Sequence, residues 1–329
     1  MEGSRLLKAV KIGAVIGLLV GCGAILDQTL DSQVTRTVAS YPPEGQILDV
    51  GGVPVHAVVR GSGPNVVLIH GASGNTRDFT FDLVDRLSDR YRVIVMDRPG
   101  LGYTGHTRPE YAHITSTTSD TPAEQAALLA AAARQLGAEA PLVVGQSYGG
   151  AVALAWALDQ PLSGLVTLAG VSNVWPGPLD AIYRINGSRF GAFTTVPLIS
   201  AFAPRARVEA AVEAIFAPNP VPAGYAEAIG APLSLRPISL RANARQINTL
   251  KPLIATMVPR YGGISVPTEI LHGDADTIVP LEIHSAKLVD QIPGARLTVL
   301  PGIGHMPHHA APDAVVDAIE RAAARAGLR

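Results

Sequence analysis

Three short segments, widely spaced along the chain, carry a nucleophile, a carboxylate and an imidazole. They are Gly145-Gln146-Ser147-Tyr148-Gly149, Gly273-Asp274-Ala275-Asp276 and Gly304-His305-Met306-Pro307. An imidazole oriented by a carboxylate can take the proton of a serine hydroxyl and so activate it for attack on a carbonyl. These three residue types together therefore predict covalent nucleophilic catalysis.

The residues around Ser147 predict a sharp turn from a strand into a helix. Residues 141–144 are an apolar run typical of a buried strand, and residues 151–158 favour a helix. Glycine at the first and last positions of the motif leaves room where a side chain would crowd such a turn. A glycine-rich turn with a solvated serine is the alternative, and the flanking strand and helix favour a nucleophile.

The composition is that of a large globular enzyme rather than a nucleic-acid-binding protein. The chain has 329 residues and a net charge of −1, and it contains no basic block. Its single cysteine, Cys22, excludes an intrachain disulfide. The nine histidines show no metal-ligand spacing, so we expect neither a metal ion nor a cofactor.

Residues 1–30 have the pattern of a membrane anchor or a lipoprotein-type signal. Three basic residues precede an uncharged run over 12–26, which predicts a cytoplasmic N-terminus. The remaining chain would then lie outside the cytoplasm, in the bacterial periplasm or cell envelope. Leu19-Val20-Gly21-Cys22 resembles a lipoprotein signal with Cys22 as the lipidated residue, and an uncleaved helical anchor is the equal alternative. Residues 31–45 are polar and end in prolines, so we expect a linker there.

From residue 46 onward, apolar runs of strand length alternate with stretches of helical spacing. Such alternation predicts a mainly parallel sheet with helices on both faces. Thr121-Pro122-Ala123-Glu124 is a capping box that opens a helix, and another helix is expected over 79–87. Eight strands are expected, the first two forming an antiparallel edge: 46–50, 53–60, 65–70, 93–97, 142–145, 165–169, 268–272 and 297–300.

Residues 172–263 interrupt the alternation and have no clear strand pattern. This insertion after the sixth strand is rich in stretches that favour helix, such as Arg205–Phe216. It holds half of the chain's aromatic residues, which would either line an apolar pocket or pack the insertion's own core. We therefore expect a helical cap over a core formed by 46–171 and 264–329.

With these motifs in order, the chain resembles the α/β-hydrolase superfamily, in its lidded esterase-like branch, over residues 46–326. The elements of the resemblance are His70-Gly71 after the third strand, Asp97–Gly102 after the fourth, the serine turn, Gly-Asp-x-Asp and Gly-His. The resemblance implies an α/β-hydrolase fold with an eight-stranded sheet and a cap after strand six. It also implies a catalytic triad.

By this resemblance, Ser147 is the nucleophile, His305 the base and Asp276 the acid that orients it. Asp274 competes with Asp276, but the family places the acid three residues before a Val-Pro pair, which fits Asp276. Four other histidines compete with His305, namely His70, His272, His308 and His309. His305 is favoured because it lies in the Gly-His segment after the last strand.

The resemblance further implies an oxyanion hole made of backbone N–H groups. Tyr148, directly after the nucleophile, would supply one and Ala72 the second, with His70 and Gly71 shaping the loop. The segment beginning at Asp97 would support that loop without taking part in catalysis.

The implied function is hydrolysis of an ester, thioester, amide or activated C–C bond through an acyl-enzyme. The expected substrate is a small molecule, an ester with an apolar acyl part, and the expected membrane contact is made through the N-terminus. Haloalkane dehalogenases and epoxide hydrolases resemble the same scaffold but have aspartate where this chain has Ser147. Perhydrolase or haloperoxidase-type activity on the same triad, and a non-catalytic binding protein that keeps the scaffold, stay open as alternatives.

Overall fold

A computed structural model describes residues 23–329, which form an eight-stranded sheet with helices on both faces. The order of the strands across the sheet is β1-β2-β4-β3-β5-β6-β7-β8. The strands are β1 (Gln46–Val50), β2 (Val53–Arg60), β3 (Asn65–Ile69), β4 (Arg92–Met96), β5 (Leu142–Gln146), β6 (Gly164–Leu168), β7 (Thr268–Gly273) and β8 (Arg296–Leu300). The predicted fold class is therefore confirmed, and each strand boundary differs from its predicted position by at most one residue.

One strand, β2, runs against the others. It pairs antiparallel with β1 on one side and with β4 on the other, whereas every pair from β4 to β8 is parallel. Parallel pairing brings the carboxyl ends of β3 to β8 to the same edge of the sheet. That edge is where ligands bind in open α/β sheets.

Alternate residues of the central strands face two separate apolar cores. On β3, Val67 and Ile69 pack in the core that also contains the helices over Pro122–Gln135 and Tyr148–Asp159. Val66 and Leu68 face the core formed with the helices over Leu83–Ser88 and Pro312–Arg325. Burial on both faces explains why these strands are continuous apolar runs. The helices outside residues 172–263 are α1 (23–40), α2 (Arg77–Thr80), α3 (Leu83–Ser88), α4 (Pro109–Ala112), α5 (Pro122–Gln135), α6 (Tyr148–Asp159), α14 (Ser285–Gln291), α15 (Pro307–Ala310) and α16 (Pro312–Arg325).

The capping box before α5 is confirmed in both directions. The backbone N–H of Glu124 donates to the Thr121 hydroxyl, and the Thr121 N–H donates to the Glu124 carboxylate. By contrast, the prediction of a single helix over 79–87 is wrong. The segment forms two short helices, α2 and α3, because the backbone of Asp82 leaves the helical region with φ −153°.

Residues 172–263, which we call the cap, lie between β6 and β7. They form α7 (Ala181–Asn186), α8 (Arg189–Phe193), α9 (Thr195–Phe202), α10 (Arg205–Phe216), α11 (Tyr225–Ala228), α12 (Ala231–Ser234) and α13 (Pro237–Met257), followed by a 3₁₀ helix (Val258–Gly263). Helix α10 has the bounds expected from the sequence. Helices of this segment also lie over the carboxyl edge of the parallel strands.

Much of the predicted linker over 31–45 is helical. Helix α1 continues to residue 40, because neither glycine nor proline interrupts residues 24–41, and Pro42-Pro43 then follow. The predicted anchor over 1–30, with Cys22, lies mostly outside the described residues. Among residues 23–329, no helix combines the length and the apolar character needed to cross a membrane.

Candidate active site

The serine turn joins β5 to α6 in a strained backbone conformation. Ser147 has φ 54° and ψ −119°, a region that costs a residue with a side chain about 1–3 kcal/mol. A Cβ on Gly145 would overlap the Gly149 carbonyl, and one on Gly149 would overlap the Ile69 carbonyl at the end of β3. The two glycines therefore allow the chain to turn tightly enough to project Ser147 from the edge of the sheet.

The structure brings Ser147, His305 and Asp276 into one hydrogen-bonded row. His305 Nε2 lies 2.9 Å from Ser147 Oγ, and His305 Nδ1 lies 2.7 Å from Asp276 Oδ2. An ionised carboxylate can only accept, so Nδ1 donates to Asp276, and Nε2 is left to accept from the serine hydroxyl. All three side chains are buried.

Asp276 is held by its own turn and by a second histidine. Its Oδ1 accepts from the backbone N–H groups of Ile278 and Val279, at 2.8 and 2.9 Å. His272 Nε2 lies 3.2 Å from Oδ2 of the same carboxylate. Burial acts to raise the pKa of Asp276, but the hydrogen bonds from His272 and His305 outweigh it and hold the pKa well below its usual range.

The competing acid and the competing histidines have other contacts. Asp274 accepts from the Gly302 N–H at 2.7 Å, within the turns that follow β7 and β8. His272 contacts Ser285 and the Val279 carbonyl, so it lies behind Asp276. The two histidines on α15 contact Asp78.

Asp78, His308 and His309 form a second buried cluster. Their potential ligand atoms lie within 4.8 Å of one another, which makes them the candidate metal-ligating set among residues 23–329. Both histidines contact Asp78 through Nε2, whereas the buried His308 Nδ1 has no hydrogen-bond partner among the described residues. The Asp78 carboxylate lies 3.2 Å from His308 Nε2 and 2.9 Å from His309 Nε2, and it accepts from the Tyr225 hydroxyl at 2.7 Å. The cluster thus connects α2, α15 and the cap.

His70 is fully buried in the loop after β3, where it supports the backbone. The Arg98 N–H donates to its Nε2 at 2.9 Å, so its Nδ1 carries the proton and donates to the Gly71 carbonyl at 2.9 Å. Burial and the neighbouring Arg98 guanidinium lower the pKa of His70 to about 4. Arg98 in turn donates to the carbonyls of His70 and Gly71. His70 is therefore a neutral structural residue of this loop.

The loop carrying Gly71 and Ala72 passes directly over the serine. A Cβ on Gly71 would lie 3.1 Å from the Ser147 Cβ, and Ala72 lines the same cavity as Ser147 and His305. Tyr148 is the first residue of α6, so its N–H has no acceptor within the helix. The two predicted donors of an oxyanion hole thus lie on segments that adjoin the serine.

Sequence reasoning missed three residues that hold these parts in place. Besides His272, Gln146 donates from Nε2 to the His305 carbonyl at 3.1 Å. Asn243, on the cap helix α13, accepts from the Ser73 N–H at 2.8 Å and donates to the Ser73 hydroxyl at 2.9 Å. Ser73 has φ 55°, and the bonds to Asn243 hold that conformation. Gln146 lies inside the serine motif and His272 at the end of β7, but Asn243 has no local signal.

Ser147 and His305 open into a cavity of about 700 Å³ between the sheet edge and the cap. Its walls are mainly apolar side chains of the cap, among them Ile182, Ile199, Val212, Ile215 and Leu240. Its volume is in the range of small-molecule binding sites. At least some of the cap's apolar residues therefore face this cavity.

Comparison with known proteins agrees with this architecture. The model of the alpha/beta hydrolase family matches residues 66–318. The chain belongs to the alpha/beta hydrolase family. It is 26% identical over 281 residues to 2-(acetamidomethylene)succinate hydrolase of Mesorhizobium japonicum, covering 83% of this chain and 92% of that protein.

Two further relatives show how widely the fold is shared. Haloalkane dehalogenase 2 of Mycobacterium bovis is 26% identical over 316 residues, covering 89% of this chain and 98% of the relative. The structure of a thermophilic esterase from Thermogutta terrifontis superposes with a TM-score of 0.66 at 22% identity, covering 86% of this chain and 99% of that one. The fold is thus shared by a dehalogenase and an esterase.

Asp97, which supports the His70 loop, should stabilise the fold in a pH-dependent way. Burial acts to raise its pKa, but hydrogen bonds and charge interaction with His56 lower it below the ordinary value of 3.8. A lowered pKa in the folded state adds stability that is present above pH 3.8 and lost as the pH falls through the folded-state value. Relative to wild type, we expect Asp97→Asn to lose about 3 kcal/mol in urea unfolding at pH 7 and clearly less at pH 3.

The exposed Asp85→Asn serves as the matched control and should change the free energy of unfolding by less than about 0.5 kcal/mol at either pH. An Asp97→Asn deficit that stays constant from pH 7 to pH 3 would contradict the electrostatic explanation.

Proposed function

We propose that the protein is a serine hydrolase that cleaves an ester through an acyl-enzyme, with Ser147, His305 and Asp276 as its catalytic triad. One observation carries the proposal: the Ser147 hydroxyl lies within hydrogen-bond distance of an imidazole whose other nitrogen is bound to a buried carboxylate. Thioesters, amides and activated C–C bonds could react through the same steps. The carboxylesterase or lipase-like class is favoured because the adjoining cavity is apolar.

In the first half-reaction, Ser147 Oγ attacks the substrate carbonyl carbon while its proton moves to His305 Nε2. The negative charge that develops on the carbonyl oxygen would be stabilised by the N–H groups of Tyr148 and Ala72. Asp276 stays ionised and stabilises the protonated imidazole. The imidazolium then gives its proton to the departing alcohol, and the acyl group remains on Ser147.

In the second half-reaction, water replaces the alcohol. His305 takes a proton from water as the oxygen attacks the acyl carbon, and it returns that proton to Ser147 Oγ when the acid leaves.

A fluorophosphonate probe tests the proposed nucleophile. We expect the wild type to be labelled and Ser147→Ala to be unlabelled, with kcat/KM for p-nitrophenyl butyrate lowered by about 10⁴-fold or more. Ser163→Ala is the control, because that hydroxyl lies before β6 and has no hydrogen-bond partner among the described residues. A wild type that neither reacts with the probe nor hydrolyses esters would favour a non-catalytic binding protein.

Asn243 is proposed as a positioning residue for the oxyanion loop. Asn243→Ala removes both hydrogen bonds that hold Ser73, next to the donor Ala72. Because loss of one oxyanion donor costs about 10²–10³ in rate, a displaced donor should lower kcat by roughly tenfold to a hundredfold and change KM little. The measurement is a steady-state comparison of kcat and KM on one ester.

Asn243→Asp keeps an acceptor for the Ser73 N–H and should recover part of the lost kcat. Thr256→Ala, at an exposed position on the same helix, should leave both constants unchanged. If Asn243→Ala raised KM and left kcat unchanged, the proposed link to the oxyanion loop would be wrong.

The proposed location is the bacterial periplasm or cell envelope, with residues 1–30 as the anchor, and this proposal rests on the sequence pattern alone. We expect the full chain in the membrane fraction and a chain beginning at residue 23 in the soluble fraction. Cys22→Ser separates the two kinds of anchor, since it would block processing of a lipoprotein and leave an uncleaved helix unaffected. Recovery of the full chain in the soluble fraction would refute the anchor.

A further inference from the structure

A second cavity lies between α1 and the cap, beside the cavity that contains Ser147. Its volume is about 440 Å³, and Gln33, Val34 and Thr37 of α1 form one of its walls. We call this cavity the α1 groove. It shares four lining residues with the active-site cavity, namely Ala203, Val208, Ala231 and Leu235, which we call the collar. The two cavities therefore adjoin each other at the collar.

The wall formed by α1 is attached to the body of the protein. Thr37 is buried, and the Tyr103 hydroxyl donates to the Tyr41 carbonyl directly after the helix. Arg77 donates to the Pro42 carbonyl at 2.8 Å and forms an ion pair with Glu44 at 2.7 Å. These contacts hold the end of α1 against α2, so the wall that α1 contributes to the α1 groove is anchored.

The lining changes in character from the serine outward. Around Ser147 the cap side chains are mainly aliphatic, whereas the α1 groove combines apolar side chains with the Arg205–Glu209 ion pair and with Glu227. An apolar interior with polar groups at the opening is typical of a site that takes an apolar chain from water. All four collar residues are themselves apolar.

We propose that the α1 groove is the outer part of the substrate site and receives the far end of a long acyl chain. The ester carbonyl lies at Ser147, the chain fills the active-site cavity, and its end crosses the collar to contact α1. This inference rests on the proposed ester hydrolysis and adds the substrate class, which is long-chain acyl esters. It also makes Val208 and Val34 residues that determine chain-length specificity.

The test is a series of p-nitrophenyl esters from acetate to palmitate, each used below its micelle-forming concentration. Burial of one methylene group is worth about a fourfold change in kcat/KM, so the wild type should prefer long chains. Val208→Trp, which adds bulk at the collar, should lower kcat/KM for acyl chains of twelve carbons or more at least tenfold further than it lowers kcat/KM for butyrate.

Ala210→Trp is the matched control on the same helix, because residue 210 is exposed and lines neither cavity. A second variant acts from the other side: Val34→Trp fills the α1 groove without touching the active-site cavity, and the exposed Val38→Trp is its control. Val34→Trp should lower activity on the longest chains alone. If Val208→Trp does not fold, Val34→Trp alone tests whether the α1 groove receives the acyl chain.

The outcomes separate this inference from the proposed function. If the wild type and both variants hydrolyse long and short esters with the same preference, the α1 groove is not part of the substrate site, although the protein remains an esterase. A wild type that prefers short chains overturns the inference in the same way. If no ester is hydrolysed and the fluorophosphonate probe does not react, the proposed function itself fails and the inference fails with it.

Discussion

The strained turn at Ser147 is the constraint on which the arrangement of the site depends. Ser147 has a positive φ, and the close approach of the backbone on either side of it is possible because Gly145 and Gly149 have no Cβ. The turn also needs partners, and the Ser147 N–H donates to the Leu168 carbonyl while its own carbonyl accepts from Val171. Two adjacent parallel strands, β5 and β6, therefore hold a conformation that an isolated loop would relax.

The same pair of residue types, histidine and aspartate, has different properties at two places along the sheet edge. At Asp97, the bound histidine is His56, and burial keeps the nearby His70 neutral. Asp97 also accepts from the Thr76 N–H, so these residues support the loop after β3. At Asp276, the bound His305 has its second nitrogen directed at a serine hydroxyl. Location beside the strained turn, more than the His–Asp contact itself, distinguishes the proposed catalytic pair from the structural pair.

The parts of the fold that could be predicted are those with a local signal. Central strands are buried on both faces, so their apolar runs predicted their positions to within a residue, and the capping box at Thr121 predicted the start of α5. The proposed triad was predicted from short motifs and their order. Its residues contact one another in the structure because parallel strands place their carboxyl ends at one edge.

The parts that could not be predicted depend on contacts between distant residues. Asn243 meets Ser73 across 170 positions of the chain, and nothing in the sequence around either residue indicates that pairing. The polar segment over 31–45 looked like a linker because its contacts, through Tyr103 and Arg77, are made by residues far along the chain. Composition predicts how such a segment behaves in isolation. Contacts with residues far along the chain decide whether it packs against the rest of the protein.

The cap connects substrate selection to the geometry of the proposed oxyanion hole. On α13, Leu240 lines the active-site cavity, and Asn243, one turn later on the same helix face, holds the loop that carries Ala72. A shift of this helix would therefore change the shape of the cavity and the position of a proposed oxyanion donor together. Substitutions on this face of α13 would therefore change specificity and rate together. Divergence of substrate preference on this scaffold should therefore favour Val208 and Val34, which lie on other helices than Asn243.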